Sequence, residues 1–396
     1  RQRITVYREM QRLEKSGEQP EILTSLKKDY DYKALQTCAT DGLCALACPV
    51  GIDTGKLVKH LRHENLTNKD HKYADWVAPR MDKVESYMRF ALNAANSTHH
   101  LLGTKNMTKM TSALRNISGG KIPKWSTYLP KATPKIDLNH VVNGNSRKVV
   151  YVPSCINQTM GISDDYDEKI ALVEKVKQLL TKAGYDIIYP ENLSNQCCGM
   201  PFSSKGFKEQ GQNKSNELEK TLLEVSENGT IPILSDMSPC LYTMKEHMSA
   251  PLKLYEPIEF ILKFVTPYLE FTPVDETISV FAVCSAKKMG QHENLVKLAK
   301  MCATEVINPD TNCCGFAGDR GFTHPELNDH GLKDFKSQHP ETVTQGYSTS
   351  RTCEIGLSCH SDVSYKSIFY LVDRVTTSKE QESLKAKEHK PEVVQN

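Results

Sequence analysis

No stretch of this sequence approaches the roughly 18 to 20 uninterrupted apolar residues that span a bilayer. Its opening, Arg1-Gln-Arg-Ile-Thr5, lacks the apolar run of a secretory signal peptide. A cytoplasmic protein is therefore expected. The chain also lacks charge of one prevailing sign: 50 Lys and Arg face 48 Asp and Glu, a net charge of +2, with both signs interspersed. That leaves no electrostatic footprint for nucleic acid. There is no initiator Met, and the abrupt start is read as that of a fragment. What the sequence has in quantity is cysteine, 13 in 396 residues. Secreted disulfide frameworks of that density belong to short chains with even counts. In a long, charged, helix-rich chain, metal thiolates are expected instead, in two or three domains each able to bury a core.

Residues 1–65 read as short helices, Ile4 to Leu13 and Asp53 to Leu61, around a cysteine-rich loop from Cys38 to Cys48. Over 66–118, Trp76, Val77, Met81, Val84, Met88 and Ala91 recur at spacings of three and four, which predicts a helical layer. Residues 119–146 are rich in Gly, Pro, Asn and Lys with little periodicity, the pattern of an extended linker. Then strand and helix alternate. Lys148 to Cys155 reads as a strand ending at a cysteine, Asp165 to Ala183 as an amphipathic helix, and 186–189, 206–226 and 231–234 as strand, helix, strand. The order recurs with a strand from Thr277 to Cys284, a helix from Glu293 to Cys302, a strand over 304–307 and a helix from Leu327 to Ser337. Residues 147–270 and 275–376 are thus an internal duplication. The polar tail 377–396 reads as frayed. The fold class is α/β: a helical, ferredoxin-type segment followed by two duplicated α/β repeats.

Each repeat carries four cysteines in equivalent places, Cys155, Cys197, Cys198 and Cys240, then Cys284, Cys313, Cys314 and Cys353. Both adjacent pairs run into glycine, as Gln196-Cys-Cys-Gly199 and Asn312-Cys-Cys-Gly315. Ligands of open α/β sheets sit beyond the carboxyl ends of strands, where these cysteines would converge. Glycine lets the backbone fold tightly against a bulky group there. Soft thiolates favour iron-sulfur or zinc over oxygen-seeking cations. Core-filling free thiols, four-thiolate zinc and a redox disulfide are the alternatives.

The N-terminal loop reads Cys38-Ala-Thr-Asp41-Gly-Leu-Cys44-Ala-Leu-Ala-Cys48-Pro49. This is the C-x2-C-x2-C-x3-C-P run of bacterial ferredoxins with Asp41 at the second position. Asp41 is either a weak, exchangeable iron ligand, giving a labile fourth iron or a 3Fe-4S cluster, or simply the first residue of an Asp-Gly turn. In two-cluster ferredoxins the last cysteine serves the other cluster, so Cys48 implies a partner run preceding Arg1.

Other features weigh less. Gly51 to Lys56 has the wrong spacing for a phosphate loop, and Leu57 stands where Ser or Thr is required. Cys302 reads as core, the Cys359-His360 pair as unexceptional, and His324 and His330 as local hydrogen-bonding groups. Trp76 and Trp125, with basic residues around them, are candidates for contact with a membrane surface or partner, against the plainer reading of packing.

On these residues the sequence resembles the cysteine-rich domain shared by heterodisulfide reductase, the anaerobic glycerol-3-phosphate dehydrogenase small subunit, the glycolate oxidase iron-sulfur subunit, and the C-terminal half of large D-lactate and D-2-hydroxyglutarate dehydrogenases. The segments 1–10, 41–55, 197–202, 312–319 and 350–357 resemble the last group. The resemblance implies 4Fe-4S clusters held by Cys38, Cys44, Cys48 and the two quartets. It also implies FAD in a missing N-terminal half that oxidises a D-2-hydroxy acid, and an acceptor such as a quinone, cytochrome or electron-transfer protein. As isolated, the chain is expected to bind no FAD; a homo-oligomer and a peripheral contact with the inner membrane face are further expectations. The family pattern often ends C-x2-C, whereas Met237 and Ser350 occupy the first of those positions here, leaving four thiolates per repeat.

Overall fold

The computed structural model describes residues 2–379, apart from Lys121, Asn143, Asn145, Ser146 and Asp165. The N-terminal part is helical: α1 (Gln2–Ser16), α2 (Pro20–Tyr30), α3 (Leu43–Leu46), α4 (Thr54–Glu64), α5 (Asn68–Val77) and α6 (Met81–Ile117). Asp53 caps α4 by accepting the Gly55 N–H at 2.7 Å. A small apolar cluster of Met10, Tyr30, Leu35, Val58 and Leu61 encloses Cys38. Helix α6 is broken at Gly103, whose φ of 72° and ψ of 164° no helix accommodates.

The helical layer faces inward on a stripe different from the expected one. Ala74, Met81, Glu85 and Leu92 are buried, while Trp76 and Met88 are exposed. A periodicity count that treats Glu as a surface residue rotates the stripe away from Glu85. Trp125 is buried and stacks on His99 with centroids 4.1 Å apart. No helix among the described residues is long and apolar enough to cross a membrane.

The first repeat runs β1 (Lys148–Val152), α7 (Cys155–Thr159), α8 (Leu172–Lys182), β2 (Asp186–Ile188), α9 (Met200–Ser203), α10 (Lys208–Val225), β3 (Ile233–Ser235), α11 (Ser238–His247) and β4 (Leu254–Tyr255). Its sheet has the order β2-β1-β3-β4, all parallel. Val149, Val150 and Tyr151 are fully enclosed, as a central parallel strand covered on both faces requires. Helix α8 starts at Leu172, later than its sequence suggests, and buries Leu172, Val173, Val176, Leu179 and Leu180 along one stripe. The segment before β1 lies along this repeat: Val141 pairs with Ile187 and Ala132 with Met160.

After α12 (Pro257–Phe260) and β5 (Leu269–Phe271), the second repeat runs β6 (Val274–Val280), α13 (Cys284–Lys288), α14 (His292–Lys300), β7 (Ala303–Ile307), α15 (Arg320–Thr323), α16 (Pro325–Gly331), β8 (Val343–Ser348), α17 (Arg351–Ser361), β9 (Ser364–Ser367) and α18 (Ile368–Arg374). Its sheet order, β7-β6-β8-β9, is the same parallel arrangement as in the first. One apolar core runs through both repeats, and Ser238 N–H donates to Thr349 O across them at 3.2 Å. Strand β10 (Thr376–Ser378) pairs antiparallel with β5. Residues 380–396 of the polar tail lie outside the described residues.

Candidate metal-thiolate centres

Both quartets stand beyond the carboxyl ends of parallel strands, on matching elements. Cys155 and Cys284 are the first residues of α7 and α13; Cys240 and Cys353 are the third residues of α11 and α17. The sequence reads Cys155 as a strand end, but Pro153 removes a ladder donor and Ser154 caps a helix instead, its hydroxyl accepting the Asn157 N–H. Asp236, at the end of β3, fixes that cap. One of its oxygens accepts the Ser154 N–H and the other the Tyr151 hydroxyl, both at 2.9 Å.

In the first repeat Cys155, Cys197, Cys198 and Cys240 line one pocket with Gln196, Leu218 and Met244. Neighbouring thiols act on one another's protonation in the order Cys155, Cys197, Cys198, Cys240. Cys197 is the acidic member. Hydrogen bonds from Cys155 and Cys198 hold its thiol well below the usual range, helped by the Gly199 N–H at 3.4 Å and the Lys214 ammonium. Cys155 and Cys198 are raised by those same bonds and by burial. Lys214 is itself buried and donates to Asn195 O at 2.9 Å.

In the second quartet the thiols act on one another in the corresponding order, Cys284, Cys313, Cys314, Cys353. Cys284 is raised by its bond to Cys313 and by burial. Cys313 and Cys314 each gain a hydrogen bond from the preceding thiol that lowers them, but the bond to the next thiol and burial outweigh it. Gly315 N–H points at Cys313 Sγ and Phe316 N–H at Cys314 Sγ, each at 3.4 Å. Lys287 ties α13 to the loop before the pair through Thr311 O at 2.9 Å and Asn312 O at 3.0 Å.

These features fit iron-sulfur ligation. Four soft donors, backbone N–H groups aimed at sulfur and exclusion of water are what a thiolate cluster uses.

The N-terminal loop is arranged differently. Cys38 is buried and its sulfur accepts the Thr40 N–H at 3.4 Å; Cys44 is exposed, with its thiol 3.3 Å from Thr54 Oγ1 and 3.7 Å from Asp53; Cys48 is half-buried. Asp41 forms the turn, accepting the Leu43 N–H at 3.2 Å, and its charge also acts on Cys284 and Cys313. The loop is docked on the second repeat: α3 packs against α13, and a Cβ added to Gly42 would lie 2.7 Å from Lys288 Nζ.

Cys302 is fully buried and burial pushes its thiol up to about 12. Cys359 is exposed, 3.4 Å from Ser126 Oγ. His360 sits 3.0 Å from Asp329, His324 3.2 Å from Glu326, and His330 is exposed. Glu85 is a group the sequence does not disclose. It is buried on α6, burial pushes its carboxyl up to about 8, and the charge of Cys197 adds to the shift.

A family model, the cysteine-rich domain (CCG), matches residues 149–245 and 278–357. Two copies of this domain are therefore present, one on each repeat. No curated protein matches the chain.

Proposed function

We propose that the chain is the iron-sulfur electron-transfer module of an FAD-linked D-2-hydroxy-acid dehydrogenase, of the D-lactate or D-2-hydroxyglutarate type, relaying electrons from reduced flavin to a quinone, cytochrome or other acceptor. The observation that carries the redox reading is the pair of thiol quartets built alike at the ends of two parallel sheets. The sequence phrases 41–55, 197–202 and 312–319 support the hydroxy-acid dehydrogenase assignment. FAD and substrate belong, in this reading, to a preceding half of the parent protein.

Cys155, Cys197, Cys198 and Cys240 would hold one group, Cys284, Cys313, Cys314 and Cys353 a second, and Cys38, Cys44 and Cys48, with or without Asp41, a third. A bound iron-sulfur cluster supplies one-electron exchange with little rearrangement. The chain's part is to set the environment. The N–H groups of Gly199, Gly315 and Phe316 stabilise negative charge on sulfur, and the cations of Lys214 and Lys287 favour the electron-rich state. Burial of Cys197, Cys198, Cys240, Cys314 and Cys353 keeps water from the ligands.

Anaerobic purification with iron, zinc and acid-labile sulfide analysis tests the reading. A brown protein bleached by dithionite and carrying iron and sulfide is expected; a colourless zinc protein without sulfide overturns it. Mixing the oxidised chain with the flavin half and D-lactate or D-2-hydroxyglutarate then tests the finer assignment, the hydroxy acid being the only electron donor to a quinone analogue.

A further inference from the structure

We propose that the Glu85 carboxylate is a fifth donor to the metal centre of the first quartet, an assignment that rests on that quartet being a metal-thiolate site. The start of α6 lies on the quartet. Met81 N–H donates to Asn195 Oδ1 at 3.0 Å, just before the Cys197-Cys198 pair, and the Met81 side chain shares one apolar cluster with Cys197 and Phe202. Helix α6 also packs against α7, which Cys155 begins. Glu85 follows Met81 by one helical turn and so faces the same way. It is 5 % exposed, and both Cys155 and Cys197 lie within its electrostatic reach.

The carboxylate is underused by the protein. Glu85 Oε1 is buried and has no hydrogen-bond partner. The neighbouring cation, Arg89, instead uses its guanidinium on the Thr133 and Pro134 carbonyls, each at 3.0 Å. A buried, unpartnered carboxyl oxygen costs stability that an apolar side chain of the same size would not. A metal beside it removes that cost, since the oxygen then completes a coordination shell. Ligation is a simple exchange: the O–H bond of the carboxyl breaks, an oxygen–metal bond forms and the proton leaves to solvent. No electron moves.

The two quartets are thereby unlike. A carboxylate whose charge acts on the second, Asp41, already accepts the Leu43 N–H. An oxygen donor among thiolates gives the first centre a mixed set, with a harder position from which metal or ligand exchanges more readily.

The test uses the full chain carrying Cys313→Ser, Cys314→Ser, Cys38→Ser and Cys44→Ser, so that neither the second quartet nor the N-terminal loop reports beside the first quartet. Cobalt(II) added to apo-protein under anaerobic conditions gives bands that identify the donor set, and iron-sulfide reconstitution gives an electron paramagnetic resonance signal. Relative to the parent, Glu85→Gln should weaken cobalt binding about tenfold or more and shift both the cobalt bands and the resonance. Exposed Glu224→Gln should change neither. Glu85→Asp, which keeps the carboxylate, should bind with intermediate affinity; it decides the matter if the Gln variant does not fold by circular dichroism. Metal binding with Glu85→Gln indistinguishable from the parent overturns the Glu85 assignment alone. A parent that takes up neither cobalt nor iron overturns the assignment together with the metal-centre reading on which it rests.

Discussion

Gly199 and Gly211 meet backbone to backbone, with Gly199 at φ 87° and any Cβ on it directed into the Gly211 carbonyl. The contact brings the start of α10 against the Cys197-Cys198 turn, and the second repeat has its counterpart where a Cβ on Gly315 would lie 2.7 Å from Leu327 O. Gly199→Ala combines left-handed strain with overpacking, so a loss of about 2 to 5 kcal/mol is expected. Thermal unfolding measures it, and metal analysis should show the first quartet emptied while the second remains filled. Equal loss from both quartets would contradict their independence.

The duplicated cysteine spacing discloses the two α/β repeats and the matched quartets without any structure, because thiols, glycine and strand ends recur in the same order. Elements that local pattern cannot reach are another matter. Glu85 is hidden because a lone Glu in a polar helix reads as surface, and only the docking of α6 through Met81 onto Asn195 and the Cys197 cluster accompanies its burial. Docking of the Asp41-Gly42 turn onto Lys288 joins segments more than two hundred residues apart. The pairing of Thr376 to Ser378 with β5 is equally non-local, and a polar segment gives no hint of it.

Glu256 makes stability depend on pH. It is fully buried, accepts from Ser238 Oγ at 3.0 Å and from Glu259 N–H at 2.7 Å, and burial raises its carboxyl from 4.5 to about 7. Because the folded value exceeds the unfolded one, the protonated form favours folding. Its contribution is complete below pH 4.5, declines as pH rises and is gone above about pH 7. The full swing is on the order of 3 kcal/mol. Denaturant titrations of apo-protein between pH 5 and 8 should show Glu256→Gln with a flatter dependence than the parent; parallel curves would rule Glu256 out as the source.

Lys287 serves the second quartet twice. Its ammonium braces the Thr311-Asn312 carbonyls, and its charge lies in the field of Cys284 and Cys313. Lys287→Met should cost about 1 to 3 kcal/mol in lost charged hydrogen bonds. In reconstituted protein it should also lower the midpoint potential of the second centre, since a nearby cation stabilises the reduced state. A shift of tens of millivolts is the order expected at an effective dielectric of about 20. Redox titration separates the roles: a destabilised protein with an unmoved potential would leave Lys287 as a brace only.

Arg62 holds the N-terminal cysteine segment in place. Its guanidinium donates to Leu35 O at 2.6 Å, Cys38 O at 2.8 Å and Ser204 O at 2.5 Å, joining α4, the approach to Cys38 and the first repeat. Burial lowers its pKa to about 10, well above neutrality, so the cation persists where it is largely desolvated. Three carbonyls arranged around one planar donor cannot be served by a lysine, whose ammonium lacks the fork. Arg62→Lys should therefore fail to restore what Arg62→Ala loses, with both variants destabilised by about 3 kcal/mol or more. Limited proteolysis should then cut first between Leu35 and Gly55, while both quartets keep their metal. Full rescue by lysine would mean that charge, and not the three-way bridge, fixes the segment.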